Sequence, residues 1–248
     1  MIEDANGQKR MVTCIDICSL YRGKRGKAIL LVEQLASFKH KHLVEILKYW
    51  VYPDQLIFIE TEAPKNLAQW KTYVKKKFSA LETLNVFESV VSGLSFLHMN
   101  GHTHRDVHPS RIAQYGNNVV KFNTIGFPYN FKKLLKRDDF SGHINYSAPE
   151  LILERPEFTN KVDIWALGCT LFYIIHKQDP FDGKEPQLIK KKILNFNLLD
   201  MRTKNSSSSS PSEEDLETQS SLMPLLQACF NQEEMLRPTC TQLLQSIT

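Results

Sequence analysis

The chain has 248 residues, 42% of them hydrophobic and 23% charged, with a net charge of +4. That is enough to bury one large core or two packed lobes, and it excludes a disordered chain. The charge is mild, and the short basic runs Lys75-Lys76-Lys77 and Lys190-Lys191-Lys192 read as solvated helix faces, so no nucleic-acid stripe is expected.

Residues 11–17 are rich in β-branched side chains and read as a strand. Residues 27–38 place Ile29, Leu31, Val32, Leu35 and Phe38 at helical spacing. Two strands follow at 43–51 and 56–60, around a turn at Pro53-Asp54. From Leu67 onward the pattern is mainly helical, with a long helix over 81–99 that stops at Asn100-Gly101. Residues 164–175 form the most apolar stretch, about the length of a buried helix and too short to span a membrane. Residues 205–221 hold five consecutive serines, Pro211 and an acidic run, and are expected to be a mobile loop. The serines beside Glu213, Glu214 and Asp215 have the look of acid-directed phosphorylation sites, although a tolerated low-complexity insertion explains them as well. Five cysteines (Cys14, Cys18, Cys169, Cys229, Cys240) lack a disulfide or metal framework and read as reduced thiols of an intracellular protein, cytoplasmic or nuclear. The polar start of the chain predicts no signal peptide.

Four segments stand in a telling order. They are His104-Arg105-Asp106-Val107-His108-Pro109-Ser110-Arg111, Tyr146-Ser147-Ala148-Pro149-Glu150, Asp163-Ile164-Trp165-Ala166-Leu167-Gly168 and Arg237-Pro238-Thr239. The chain resembles the eukaryotic protein kinases on these landmarks, nearly throughout its length. The resemblance implies an α+β fold of two lobes. Residues 1–62 would form a small, truncated β-rich lobe with one helix, and 63–248 a larger helical lobe carrying the 205–221 loop. It also implies an ion pair between Glu150 and Arg237, and structural roles for Arg105, Asp163, Trp165 and Gly168.

Phosphoryl transfer needs cradled phosphates, Mg²⁺ and an oriented hydroxyl. By the resemblance, most groups that supply these are replaced. Asn6-Gly7 is a single turn signal, and Gly23 and Gly26 make no glycine-rich loop. Ile15 stands at the lysine position, while Lys9 and Lys24 lie outside the expected context. Leu31 stands at the position of the lysine's glutamate partner, and Glu33 falls on another helix face. Thr124 replaces the main Mg²⁺ ligand, with Asn123 beside it on a strand, and a neutral hydroxyl suits that hard cation poorly. Arg111 replaces the second ligand and has no lone pair to offer. His108 replaces a loop lysine and His143 a threonine. Asp106 remains, in a position that serves catalysis or loop structure. No metal is expected, and ATP with Mg²⁺ only if the chain is active.

The leading expectation is therefore a pseudokinase, a scaffold or allosteric regulator that binds another protein, an active kinase among the candidates, with no nucleic-acid or membrane partner. The alternatives are a divergent kinase that transfers phosphate using Asp106, and a nucleotide sensor in which Arg111 and His108 replace the charge of Mg²⁺.

Overall fold

The computed structural model describes residues 2–3, 6–17, 22–52, 56–64, 73–123, 144–153, 157, 159–197 and 213–247. Two compact units emerge, one of Met1–Tyr73 with Arg111–Ser141, the other of Val74–Ser110 with Gly142–Thr248. The first is built on an antiparallel sheet and the second on helices, the α+β class expected.

In the first unit β1 (Ile2–Glu3) turns through Gly7, at φ 74°, into β2 (Lys9–Asp16). That positive φ is easy only for glycine, which explains the Asn6-Gly7 signal. Helix α1 (Arg22–Ser37) follows, then β3 (Ile46–Tyr52) and β4 (Leu56–Glu62). The sheet order is β1-β2-β4-β3, with Ile15 opposite Ile57 and Thr13 opposite Ile59. Strand alternation sends Met11, Thr13, Ile15, Ile57, Ile59 and Thr61 to one face. Ile15, Ile57 and Ile59 are buried there, and α1, with Ala28, Val32 and Leu35 buried, packs on β3. The helix begins earlier than its periodicity predicts, and Leu31 lies only half-buried beside its buried stripe.

Strands β5 (Ile112–Gln114) and β6 (Val120–Phe122) pair with each other. The Phe122 amide donates to the His42 carbonyl and the Val44 amide to the Phe122 carbonyl, at 2.8 and 3.1 Å. These bonds join β6 to the segment before β3 within the unit that holds both Met1–Tyr73 and Arg111–Ser141.

The second unit is built on α2 (Ala80–Met99), α3 (Pro149–Ile152), α4 (Lys161–His176), α5 (Pro186–Leu194), α6 (Glu213–Cys229) and α7 (Cys240–Ile247). Helix α2 opens with a capping box, Glu82 N donating to Ser79 Oγ at 3.2 Å and Ser79 N to Glu82 Oε2 at 3.0 Å. It stops at Asn100, with Gly101 at φ 75°. Helix α4 is the buried axis. Trp165, fully buried, stacks on Phe181 at 5.9 Å between ring centroids and meets Phe230 edge-on at 5.2 Å. A Cβ on Gly168 would lie 2.7 Å from Cys229 Cβ, so glycine is what lets α4 and α6 approach.

The 205–221 segment needs a correction. Residues 213–221 are helical, as the first turns of α6, and only 205–212 lie outside the described residues. Low-complexity composition concealed a helix whose later turns bury Leu222, Leu225, Leu226 and Cys229. Three consecutive acids at its start are what a helix N-terminus favours. Pro53, Asp54 and Cys18 also lie outside the described residues. No helix among the described residues is long and apolar enough to cross a membrane.

Candidate active site

The loop from His104 to Ser110 belongs to the second unit, and Asp163 of α4 organises it. Asp163 is fully buried. Its Oδ2 accepts from the His104 amide at 2.7 Å and from His98 Nε2 at 2.8 Å, and its Oδ1 from the Arg105 amide at 2.7 Å. Burial alone would raise its pKa. The hydrogen bond and charge of His98, the charge of His104 and the Arg105 amide outweigh that and hold it below the usual carboxylate value. The bonded Arg105 amide helps fix that residue at φ 64°, a left-handed conformation uncommon for a residue with a Cβ. Burial lowers the Arg105 guanidinium pKa, and the charge of Asp163 partly restores it.

That turn delivers Asp106 into the interior, 7% exposed, with its amide donating to His104 Nδ1 at 3.1 Å. Its carboxylate lies 3.5 Å from Nε2 of His108, itself 5% exposed. His108 Nδ1 and Ser110 Oγ share a hydrogen bond of 2.8 Å. The His108 ring sits 6.0 Å from that of Tyr146, whose hydroxyl donates to Asp179 Oδ1 at 2.6 Å. Asn145 Nδ2 reaches the other Asp179 oxygen at 3.2 Å. Burial, reinforced by the hydrogen bond to Asp179 and its charge, pushes the Tyr146 hydroxyl far above its ordinary pKa, so it stays a donor. The sequence singled out Asp106 and His108, and the structure brings them together. It did not mark Asp179, whose partners come from a distant part of the chain.

The frame around this loop is complete. Arg237 Nη1 donates to Glu150 Oε1 at 2.6 Å and Nη2 to Oε2 at 2.8 Å, a bidentate pair with side chains 0% and 2% exposed. Arg237 also donates from Nε to the Asn231 carbonyl at 2.8 Å, and its guanidinium carbon lies 5.2 Å from the Trp165 ring.

The remaining described positions fall in the first unit. Ile15, which the resemblance sets at the lysine position, is 1% exposed near the end of β2. The residues that share its face on β2 are Thr13 and Met11, then Lys9, which is exposed at the strand's far end. Six residues of strand separate Lys9 from Ile15, roughly 20 Å. Glu33 is exposed. Arg111 is half-buried, and its carbonyl accepts from the Asn123 amide at 2.8 Å. Thr124, His143 and the side chain of Lys24 lie outside what is described. Carboxylates that sequence reasoning passed over sit on β4. Glu60 is buried, 3.8 Å from Arg10 Nε, and Glu62 Oε1 accepts from the Glu45 amide and pairs with Lys121. Among the described residues, no cluster of three or more His, Cys, Asp or Glu is arranged to hold a metal ion.

Comparison with known proteins supports the resemblance to the protein kinases. A family model described as the protein kinase domain matches residues 17–247. NUAK family SNF1-like kinase 1 of Mus musculus is 30% identical over 152 residues, which cover 61% of this chain and 23% of that protein. An Aurora kinase of Eremothecium gossypii is 28% identical over 169 residues, 68% of this chain and 46% of the relative. Serine/threonine-protein kinase ICK of Mus musculus is 27% identical over 152 residues, 61% of this chain and 24% of the relative. In each case the match spans less than half the length of the relative.

Proposed function

Because the chain belongs to the protein kinase family, we propose that it is a member with phosphoryl transfer lost or severely weakened, acting as a scaffold or allosteric regulator of another protein. The observation that carries this reading is the inner face of β2. Met11, Thr13 and the buried Ile15 offer no cation where the resemblance requires one. A one-residue shift of alignment does not help, because it moves the neighbour onto the opposite face. Positioned charge is most of what such an enzyme contributes, and one lost cation can cost ~10³–10⁵ in rate.

Two further features support the reading. The carboxylate of Asp106 is buried, its Oδ1 3.5 Å from His108 Nε2. Arg111 adds a fixed positive charge at a ligand position, and that charge repels Mg²⁺. The residues present therefore do not fit a Mg²⁺–nucleotide complex. The protein partner, an active kinase among the candidates, and an intracellular location, cytoplasmic or nuclear, follow from this reading.

One feature favours a divergent kinase, the second reading. Asp106 is retained, on a loop held by the complete set of Asp163 bonds. Calorimetry and thermal shift with ATP, with and without Mg²⁺, separate the two. The scaffold reading expects no Mg²⁺-dependent binding at millimolar nucleotide and no phosphate transfer that depends on Asp106. Binding that raises Tm by mass action, or transfer that vanishes in Asp106→Asn, puts the divergent kinase first.

A further inference from the structure

The basic run Lys75-Lys76-Lys77 is not the solvated helix face that its sequence suggests. Lys76 and Lys77 lie outside any helix, between the buried Val74 and Ser79, the N-cap of α2, and all three lysines are exposed. A fourth lysine joins them from 103 residues beyond Val74. Lys177 is the C-cap of α4, at φ 57°, the left-handed conformation in which many helices end. Its Nζ donates to the Ile174 carbonyl at 2.6 Å and to the Val74 carbonyl at 3.0 Å. These bonds hold the ammonium 4.9 Å from the ring centroid of the buried Phe78, and Lys76 Nζ lies 4.5 Å from the same centroid. Two cations are thus gathered on one ring, where their mutual repulsion would otherwise spread them apart.

We propose that this lysine cluster docks an acidic segment, rich in Asp and Glu, of a partner protein. Charge complementarity selects the occupant. Lys76 stands 3.6 Å from Glu82, with both side chains about half exposed. A pair so open to water contributes little, so an incoming carboxylate displaces it at small cost. At Lys177 the field is positive: burial first, and then the charge of Lys76, pull its pKa down to about 8. Its other titratable neighbours do not relieve this. Burial keeps His176 neutral down to about pH 4, and burial with the charge of Asp179 keeps the Tyr173 hydroxyl protonated. Asp179 itself accepts from Tyr146 and Asn145. A carboxylate bound beside Lys177 favours the ammonium and raises that pKa. Docking therefore takes up a proton, and affinity falls as pH rises through about 8. The exposed Lys75 and Lys77 extend the cluster along the chain, which suits a run of carboxylates better than a single anion.

The proposal rests on the scaffold reading for the partner's being a protein, and adds where it docks and by what chemistry. Nucleotide calorimetry tests that reading separately, so the two fail independently. The test here is fluorescence anisotropy of a labelled oligoglutamate peptide with the whole chain at low salt, against an oligoglutamine peptide of equal length. The expected result is binding of oligoglutamate alone, weakened ~fivefold by Lys76→Gln and by Lys177→Gln, the strong end for an exposed ion pair. Lys191→Gln, on the exposed side of α5, is expected to leave it unchanged. The parent's affinity is expected to fall by a similar factor from pH 7 to 9, and Lys177→Arg, whose charge does not titrate, to abolish that fall. Circular dichroism melts show that each variant is folded. Lys177→Arg keeps the charge and the donors, so its pH profile decides even where Lys177→Gln fails to fold. Absence of binding, a loss in Lys191→Gln equal to the others, or a pH dependence that persists in Lys177→Arg overturns the proposal. So does a phosphopeptide or tripolyphosphate that binds where oligoglutamate does not.

Discussion

Glu150→Ala strands a guanidinium in the interior, and the structure sets how much that costs. Arg237 is 0% exposed at its side chain, so no solvent reaches the charge once its partner is gone. Removing one member of a buried pair typically costs ~3–5 kcal/mol. Arg237 keeps its bonds to the Asn231 and Lys161 carbonyls, at 2.8 and 3.1 Å, which puts the expected loss near the lower end of that range. For a chain of this size ~1 kcal/mol moves Tm by ~2–4 °C, so a loss of ~3 kcal/mol lowers it by ~6–12 °C. Glu150→Gln retains an acceptor of the same shape and is expected to lose less, because its bonds to Arg237 are no longer charge-assisted on both sides. Urea and thermal unfolding read all of this. A Glu150→Ala variant within ~0.5 kcal/mol of the parent, the range of ordinary surface changes, refutes the reasoning and means the pair contributes nothing net.

Two further perturbations report on α4. His176 packs its ring 4.2 Å from Phe172, and burial pulls its pKa down from 6.5 to about 4. The unfolded chain then binds the proton first, so stability falls as pH drops from 6.5 towards 4 and levels below that, by up to ~3 kcal/mol. His176→Gln is expected to flatten that limb in pH-resolved melts. Gly168→Ala puts a Cβ 2.7 Å from Cys229 Cβ and is expected to cost ~1–3 kcal/mol by overpacking. Cys229→Ala should not rescue it, because the clash is with the Cβ that alanine keeps.

Much of the fold is legible in the sequence where one local signal decides the outcome. The strand at β2, the long helix α2 with its Asn100-Gly101 stop, and the buried run of α4 all follow from periodicity and caps. Where packing overrides propensity, the sequence misleads. Arg22-Gly-Lys-Arg-Gly-Lys27 has two glycines and four cations at a helix start, a poor opening by any propensity, yet α1 begins there. The serine-rich composition before α6 likewise hides the helical turns that follow it. At the site, the burial of Ile15 is legible because it lies on the alternating apolar face of a clear strand. The approach of His108 to Asp106 is not, because it depends on the left-handed turn at Arg105 and on amide bonds to Asp163, 57 residues beyond Asp106 in sequence. Asp179 escapes for the same reason, since its two donors are more than 30 residues earlier.

The two classes of residue in this chain are under separate physical control. Asp163 with its three donors and Glu150 with Arg237 are buried, and each loss there leaves an unpaired charge inside the protein. They are all present. The positions that the resemblance assigns to nucleotide and metal stand apart from that frame. Putting isoleucine where a lysine would be improves burial in the first unit rather than harming it. A fold can therefore lose its nucleotide chemistry without losing stability, since function resides in the site and not in the architecture. Asp106 belongs to both classes at once. It lies in the interior beside His108, on the loop that Asp163 fixes, so its retention serves loop structure whether or not it serves catalysis. The proposed reading is therefore tested at the inner face of β2, where Met11, Thr13 and Ile15 supply no cation, rather than at Asp106.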